Sequence, residues 1–135
     1  MKPFPLNRLL ILQMLYAYAG IMYNVGSLLA VRNGQAPWAS TDAVIGVAAM
    51  SLYGLSLSTG LMKNLAIYRL LMIVSVLLFG YGGVIAHLLN FGRLELYQSV
   101  WTWIAAPAVN SFGLILNLIA ACGWFKHTGN QSKQT

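Results

Sequence analysis

Apolar residues run along this chain in four long blocks, and the residues between the blocks are turn formers or charges. The blocks fall at about residues 9–31, 43–62, 66–89 and 101–125. Crossing a bilayer takes about 20 apolar residues, because a helix rises ~1.5 Å per residue against ~30 Å of hydrocarbon. Each block meets that length. The pattern predicts an all-α, polytopic membrane protein: a four-transmembrane-helix bundle forming one membrane domain over residues 1–135. The block from Asn64 to Asn90 anchors the reading, since Arg69 near its start is its only charge.

The connectors carry the expected punctuation. Lys2-Pro3-Phe4-Pro5 discourages helix before the first span. Arg32 to Trp38 holds Gly34 and Pro37 as breakers, and Ser40, Thr41 and Asp42 are N-cap candidates for the second span. Lys63-Asn64-Leu65 is so short that spans two and three are expected to form a tight antiparallel hairpin. Asn90–Val100 is a longer connector with room for a short interfacial helix, and Pro107 predicts a kink or an offset start in the fourth span. Residues 126–135 read as a polar tail. The N-terminal segment imitates a signal peptide, with Lys2, Arg8 and Ala17-Tyr18-Ala19. Apolar sequence continues past that site through Val31, so it is read as a retained span.

Composition sharpens the class. Charged residues make up 7% of the chain and hydrophobic ones 59%, whereas soluble domains carry roughly 25% charged residues. The net charge of +6 has no basic cluster behind it, which excludes a nucleic-acid partner. With four spans, Lys2, Arg8, Lys63, Arg69, Lys126 and Lys133 fall on the side of the termini. Arg32 and Arg93 fall on the other side, with both acids, Asp42 and Glu95. The excess of Lys and Arg places both termini in the cytoplasm. Trp38, Phe91, Tyr97, Trp101 and Trp103 make an outer aromatic belt, and Tyr68, Trp124 and Phe125 an inner one.

Small residues at four-residue spacing suggest packing seams: Gly46, Gly54 and Ser58; Gly82 and Ala86; Gly113, Asn117 and Ala121. They serve either packing within the bundle or dimerisation. The hairpin from Ala43 to Leu89 is expected to pack most tightly, with Gly54 and Gly82 at its contact.

Candidate chemistry is sparse. No span contains Asp, Glu or Lys, which disfavours a coupled exporter that works through a membrane carboxylate. No nucleophile–base pair, phosphate loop or metal-ligand spacing is present, so the sequence offers no catalytic and no metal residues. The single cysteine, Cys122, reads as a small filler near the inner interface. His87 lies near the outer end of the third span. It is either a structural tie to Tyr97, Glu95 or a backbone carbonyl, or the ligand of a cofactor that the sequence leaves unidentified. His127, beyond the inner end of the fourth span, is too far away to pair with it. Asn24, Tyr81 and Asn110 fall at similar depth in the outer half, with Tyr53 near mid-membrane. These four either form a polar layer lining a small cavity or make ordinary interhelical hydrogen bonds. Gln13 and Tyr16 add polarity in the inner half without a recognisable pattern.

Three groups of residues carry a resemblance: Asn7-Arg8-Leu9-Leu10 leading to Ala19-Gly20-Ile21, the Lys63–Arg69 hairpin, and Ala86-His87-Leu88. In these, and in layout, the chain resembles the DoxX-like group of small bacterial four-helix membrane proteins. The resemblance implies an accessory membrane subunit, in some members of sulfur- or quinone-linked redox systems; it brings no catalytic residue with it. Three functions therefore stand open. The first is a non-catalytic subunit that contacts other membrane subunits, or itself, within the lipid bilayer. The second is a quinone- or lipid-binding redox component using His87. The third is a small uncoupled transporter or channel built as an oligomer.

Overall fold

A computed structural model describes residues 2–126. His127, Lys133 and the rest of the polar tail lie outside the described residues. Four helical spans are long and apolar enough to cross a membrane, so this is an integral membrane protein with a four-helix bundle. The first span is α1 (Leu6–Arg32). The second is α2 (Ala43–Ser56) continued by α3 (Ser58–Leu61). The third runs through α4 (Leu65–Phe79), a π-helical segment (Gly80–Ile85) and α5 (Ala86–Leu89). The fourth is α6 (Val100–Ala121), which continues unbroken through Pro107. Two short 3-10 turns, Asn90–Gly92 and Leu94–Leu96, fill the connector expected to hold an interfacial helix.

Local chemistry sets these limits. Of the three N-cap candidates, Asp42 does the capping: its Oδ1 accepts from Val44 N at 2.8 Å and Ile45 N at 3.0 Å. Ser99 and Thr102 form a reciprocal capping box that starts α6. Three helix ends close with a left-handed residue and the paired bonds of a Schellman motif. At α6, Gly123 (φ 70°) sits between Gly123 N→Ala120 O at 3.0 Å and Trp124 N→Ile119 O at 3.0 Å. Gly34 does the same after α1, and Lys63 (φ 61°) after α3. The α6 motif ends the fourth span earlier than its apolar run suggests, and Trp124 and Phe125 turn back.

That reversal brings the two ends of the chain together. β1 (Phe4–Pro5) and β2 (Phe125–Lys126) pair in parallel, with Phe4 opposite Phe125. The two ends of the described residues therefore lie on one side of the bundle, which we call the inner side. Arg69 joins them there, donating from Nε to the Ala121 carbonyl at 3.2 Å.

The helices pack in the order α2–α1–α6–α4 around the bundle, and α2 and α4 barely meet. The tight hairpin expected from the short turn is thus tight only at the turn. Gly54 faces α1, where Ala17 Cβ is the nearest atom to an added Cβ at 3.7 Å, and Gly82 faces no atom within 4 Å. The rings of Tyr16, Tyr53 and Phe79 fill the middle instead, edge to face at 5.3 to 6.0 Å. Large apolar side chains such as Leu52, Leu55, Leu77 and Ile11 point outward, while Gln13, Ser27, Ser75 and Asn117 are buried. Lipid on the outside makes that inverted distribution stable, because polar atoms in hydrocarbon must find partners within the protein. Cys122 is exposed at the end of α6 rather than filling the interior.

Candidate functional site

Polar residues inside the bundle fall into two groups, one closed and one open. The closed group lies in the inner half and takes a residue from every span. Tyr68 Oη donates to Gln13 Oε1 at 2.6 Å, and Gln13 Nε2 donates to Asn117 Oδ1 at 3.0 Å and approaches Met72 Sδ at 3.1 Å. Tyr53 Oη donates to the same Asn117 oxygen at 2.7 Å. Gln13, Tyr68 and Asn117 are inaccessible to solvent. Asn117 Nδ2 alone has no partner. The sequence pattern leaves this network unassembled, although a Gln and an Asn buried near the inner ends of two spans imply partners across helices.

The open group surrounds a cavity of about 300 Å3 in the outer half, between α2 and the third span. All four spans contribute to it, as do Thr41 and Asp42 at the start of α2. Ile45 and Leu78 line it and are themselves more than half exposed, so one side opens toward lipid. Phe79, edge-on to Tyr16 and Tyr53, separates it from the closed network.

Of the residues singled out in the sequence, Asn24, Asn110 and His87 meet at this cavity. Tyr53 is buried but belongs to the closed network, with its hydroxyl on Asn117. Tyr81 is 67% exposed and stands outside the cavity. Depth along a span says nothing about face, and the π-helical segment that holds Tyr81 shifts the faces of the residues after it. Gly82 and Gly83 form that wall instead.

Each asparagine returns an amide proton to its own helix: Asn24 Nδ2 to Gly20 O at 2.8 Å, and Asn110 Nδ2 to Ala106 O at 2.9 Å. Two glycines make room for them. A Cβ on Gly46 would overlap the Asn24 amide, and one on Gly83 would overlap Asn110. Asn110 Oδ1 accepts from Tyr16 Oη at 2.9 Å, whereas Asn24 Oδ1 has no hydrogen bond among the described residues.

His87 is 3% exposed and tied on its Nδ1 side to Tyr97 Oη at 2.7 Å, one of the partners expected from sequence. Its backbone carbonyl accepts from Trp103 Nε1 at 2.8 Å. The chain of bonds continues from Tyr97 Oη to Ser40 Oγ at 3.1 Å, and Asn90 Nδ2 donates to that same Ser40 oxygen at 3.0 Å. One orientation uses every proton: Ser40 donates to Tyr97, Tyr97 donates to His87 Nδ1, and the imidazole proton sits on Nε2. The reverse orientation puts the imidazole proton on Nδ1 and turns the exposed Ser40 hydroxyl to solvent. His87 lines the cavity, and its Nε2, which carries the proton in the first of these orientations, has no protein partner among the described residues.

A loop holds the outer end in place. Tyr23 Oη lies between the carbonyls of Trp38 at 2.7 Å and Thr102 at 2.8 Å, and Trp38 N donates to Ser27 Oγ at 2.9 Å. Among the described residues no three of His, Cys, Asp or Glu gather to bind a metal ion. The cavity can therefore orient a guest by hydrogen bonds and shape. No family model, curated protein or solved structure matches the chain.

Proposed function

We propose that this protein is a non-catalytic component of a membrane assembly that holds a lipid-borne molecule in the slot between α2 and the third span. One observation carries the reading: the cavity has a polar end made by Asn24, Asp42 and His87, and an apolar side open toward lipid. A guest with a polar head and an apolar body can enter sideways without crossing water. Among the described residues, everything outside the spans is loop, short turn or two-residue strand, so partners would meet the protein through its helices. The His87 Nε2–H favours a second reading, in which the guest is a quinone that accepts this hydrogen bond through a carbonyl. In either case the excess of Lys and Arg on the inner side supports cytoplasmic termini, and the resemblance to small bacterial four-helix membrane proteins implies a bacterial inner membrane.

Filling the slot tests the proposal. Ala49 lines the cavity, and Ala49→Trp puts a bulky ring into it. Native mass spectrometry of the wild type purified in mild detergent should show a retained small-molecule adduct, identified as lipid or quinone by chromatography of an organic extract. The adduct should be absent from a folded Ala49→Trp protein. An adduct that persists in the variant, or a wild type that never carries one, would overturn the proposal.

A further inference from the structure

The charges at the mouth of the slot narrow the guest further. Asp42 is the one ionisable acid on the cavity wall, and its Oδ2 remains available because Oδ1 takes both capping bonds. A neighbouring outer cavity of about 590 Å3 shares Thr41 and Asp42 and adds Glu95. Asp42 therefore lines both cavities and Glu95 only the second, while Arg32 and Arg93 line neither and Arg93 lies 3.9 Å from Glu95. Within the slot, Asn24 Oδ1 is a second free acceptor. His87 supplies the independent sign of a ligand: a side chain 3% exposed on the cavity wall whose Nε2 has no protein partner among the described residues, so that a guest acceptor would select the tautomer protonated there. The wall thus presents oxygen acceptors and a carboxylate to a donor cation, and one N–H to an anion or carbonyl.

Resting on the lipid-borne guest proposed above, we infer that the occupant is an outer-leaflet phospholipid whose head group carries a primary ammonium, of the phosphatidylethanolamine type. Its ammonium meets Asp42 and Asn24 Oδ1, and its phosphate accepts from His87 Nε2–H. A quaternary head group has no N–H to donate, and an anionic one meets the carboxylate with the wrong sign. The volume agrees with a head group alone. About 300 Å3 equals roughly ten water volumes, so the acyl chains must trail out past Ile45 and Leu78.

The test uses full-length protein stripped of lipid in detergent and titrated with phosphatidylethanolamine, phosphatidylcholine or phosphatidylglycerol, read by native mass spectrometry. The wild type should prefer phosphatidylethanolamine to phosphatidylcholine by about fivefold, because both heads are cationic and only the primary ammonium adds an N–H hydrogen bond to the carboxylate. Asp42→Asn keeps the helix cap, since Asn caps as well as Asp. It should bring that ratio to about one while still binding lipid. His87→Phe should weaken all three lipids together. Equal binding of the three lipids by the wild type, or an unchanged preference in Asp42→Asn, overturns this inference and leaves the slot itself standing. Failure of all three phospholipids to bind overturns this inference too, and if in addition the wild type as purified carries no lipid or quinone adduct, or Ala49→Trp binds as the wild type does, the slot reading fails with it.

Discussion

Gln13 shows how much a single side chain contributes inside this bundle. Its amide accepts from Tyr68, donates to Asn117 and touches Met72, so it joins three of the four spans. Gln13→Leu would leave the Tyr68 hydroxyl without its acceptor and Asn117 with one donor fewer. An unsatisfied buried group costs about 1–3 kcal/mol in general, and interhelical bonds in membranes average about 0.6 kcal/mol. We expect a loss of about 1–2 kcal/mol, read as a lower unfolding temperature in micelles. Tyr68→Phe in the same chain should add little, because the bond it removes is already lost. Strictly additive losses would show that the two residues stabilise the fold independently. Residues such as Asn24, Asn110 and His87 could be picked out in the sequence because polar atoms stand out in an apolar run. Tyr81 stood out in the same way and faces outward. A tyrosine is content at a lipid-facing site, so its presence in a span carries less information than that of an amide.

At the scale of elements, the spans were legible to within about a turn of helix, because length and apolar content alone define a crossing helix. Their neighbours were not. A short Lys63-Asn64 turn implies adjacent helices, but it holds only the inner ends of spans two and three together. The slot opens because bulky rings occupy the centre and because the third span widens into a π-helical segment at Gly80–Ile85. No periodicity announces such a widening, which often accompanies function. The seam glycines illustrate the same point: Gly46 and Gly113 admit the Asn24 amide and the Tyr16 ring rather than a second backbone. Two adjacent glycines separate the cases. Gly83→Ala must displace Asn110 and with it the Tyr16 bond, whereas Gly82→Ala meets open space. Gly83→Ala should lower the unfolding temperature, by about 1–3 kcal/mol in stability, and Gly82→Ala should leave it unchanged. Equal effects of the two would place the wall of the slot elsewhere.

The whole molecule is apolar on its lipid-facing surface and encloses its few polar side chains within a mainly apolar core, so its orientation is the remaining large-scale property its charges can set. The parallel pairing of Phe4–Pro5 with Phe125–Lys126 fixes the two ends on a common side. Lys2, Arg8, Lys63, Arg69 and Lys126 lie on that side, and all but Arg69 are free of the carbonyl bond that holds its guanidinium at α6. The opposite side balances Arg32 and Arg93 with Asp42 and Glu95. Orientation follows Lys and Arg near the span ends rather than net charge, and five cations against two predict that the paired ends are cytoplasmic and that the slot faces the opposite leaflet. The slot then opens in the outer half of the membrane, where the inferred head group must be found. Single cysteines test this on a Cys122→Ser background, since the native thiol is exposed. Ala36 and Lys2 are both exposed and lie on opposite sides of the bundle. A membrane-impermeant maleimide should label Ala36→Cys in intact cells, and Lys2→Cys only after the membrane is permeabilised. The reverse pattern would invert the protein and move the slot to the cytoplasmic leaflet.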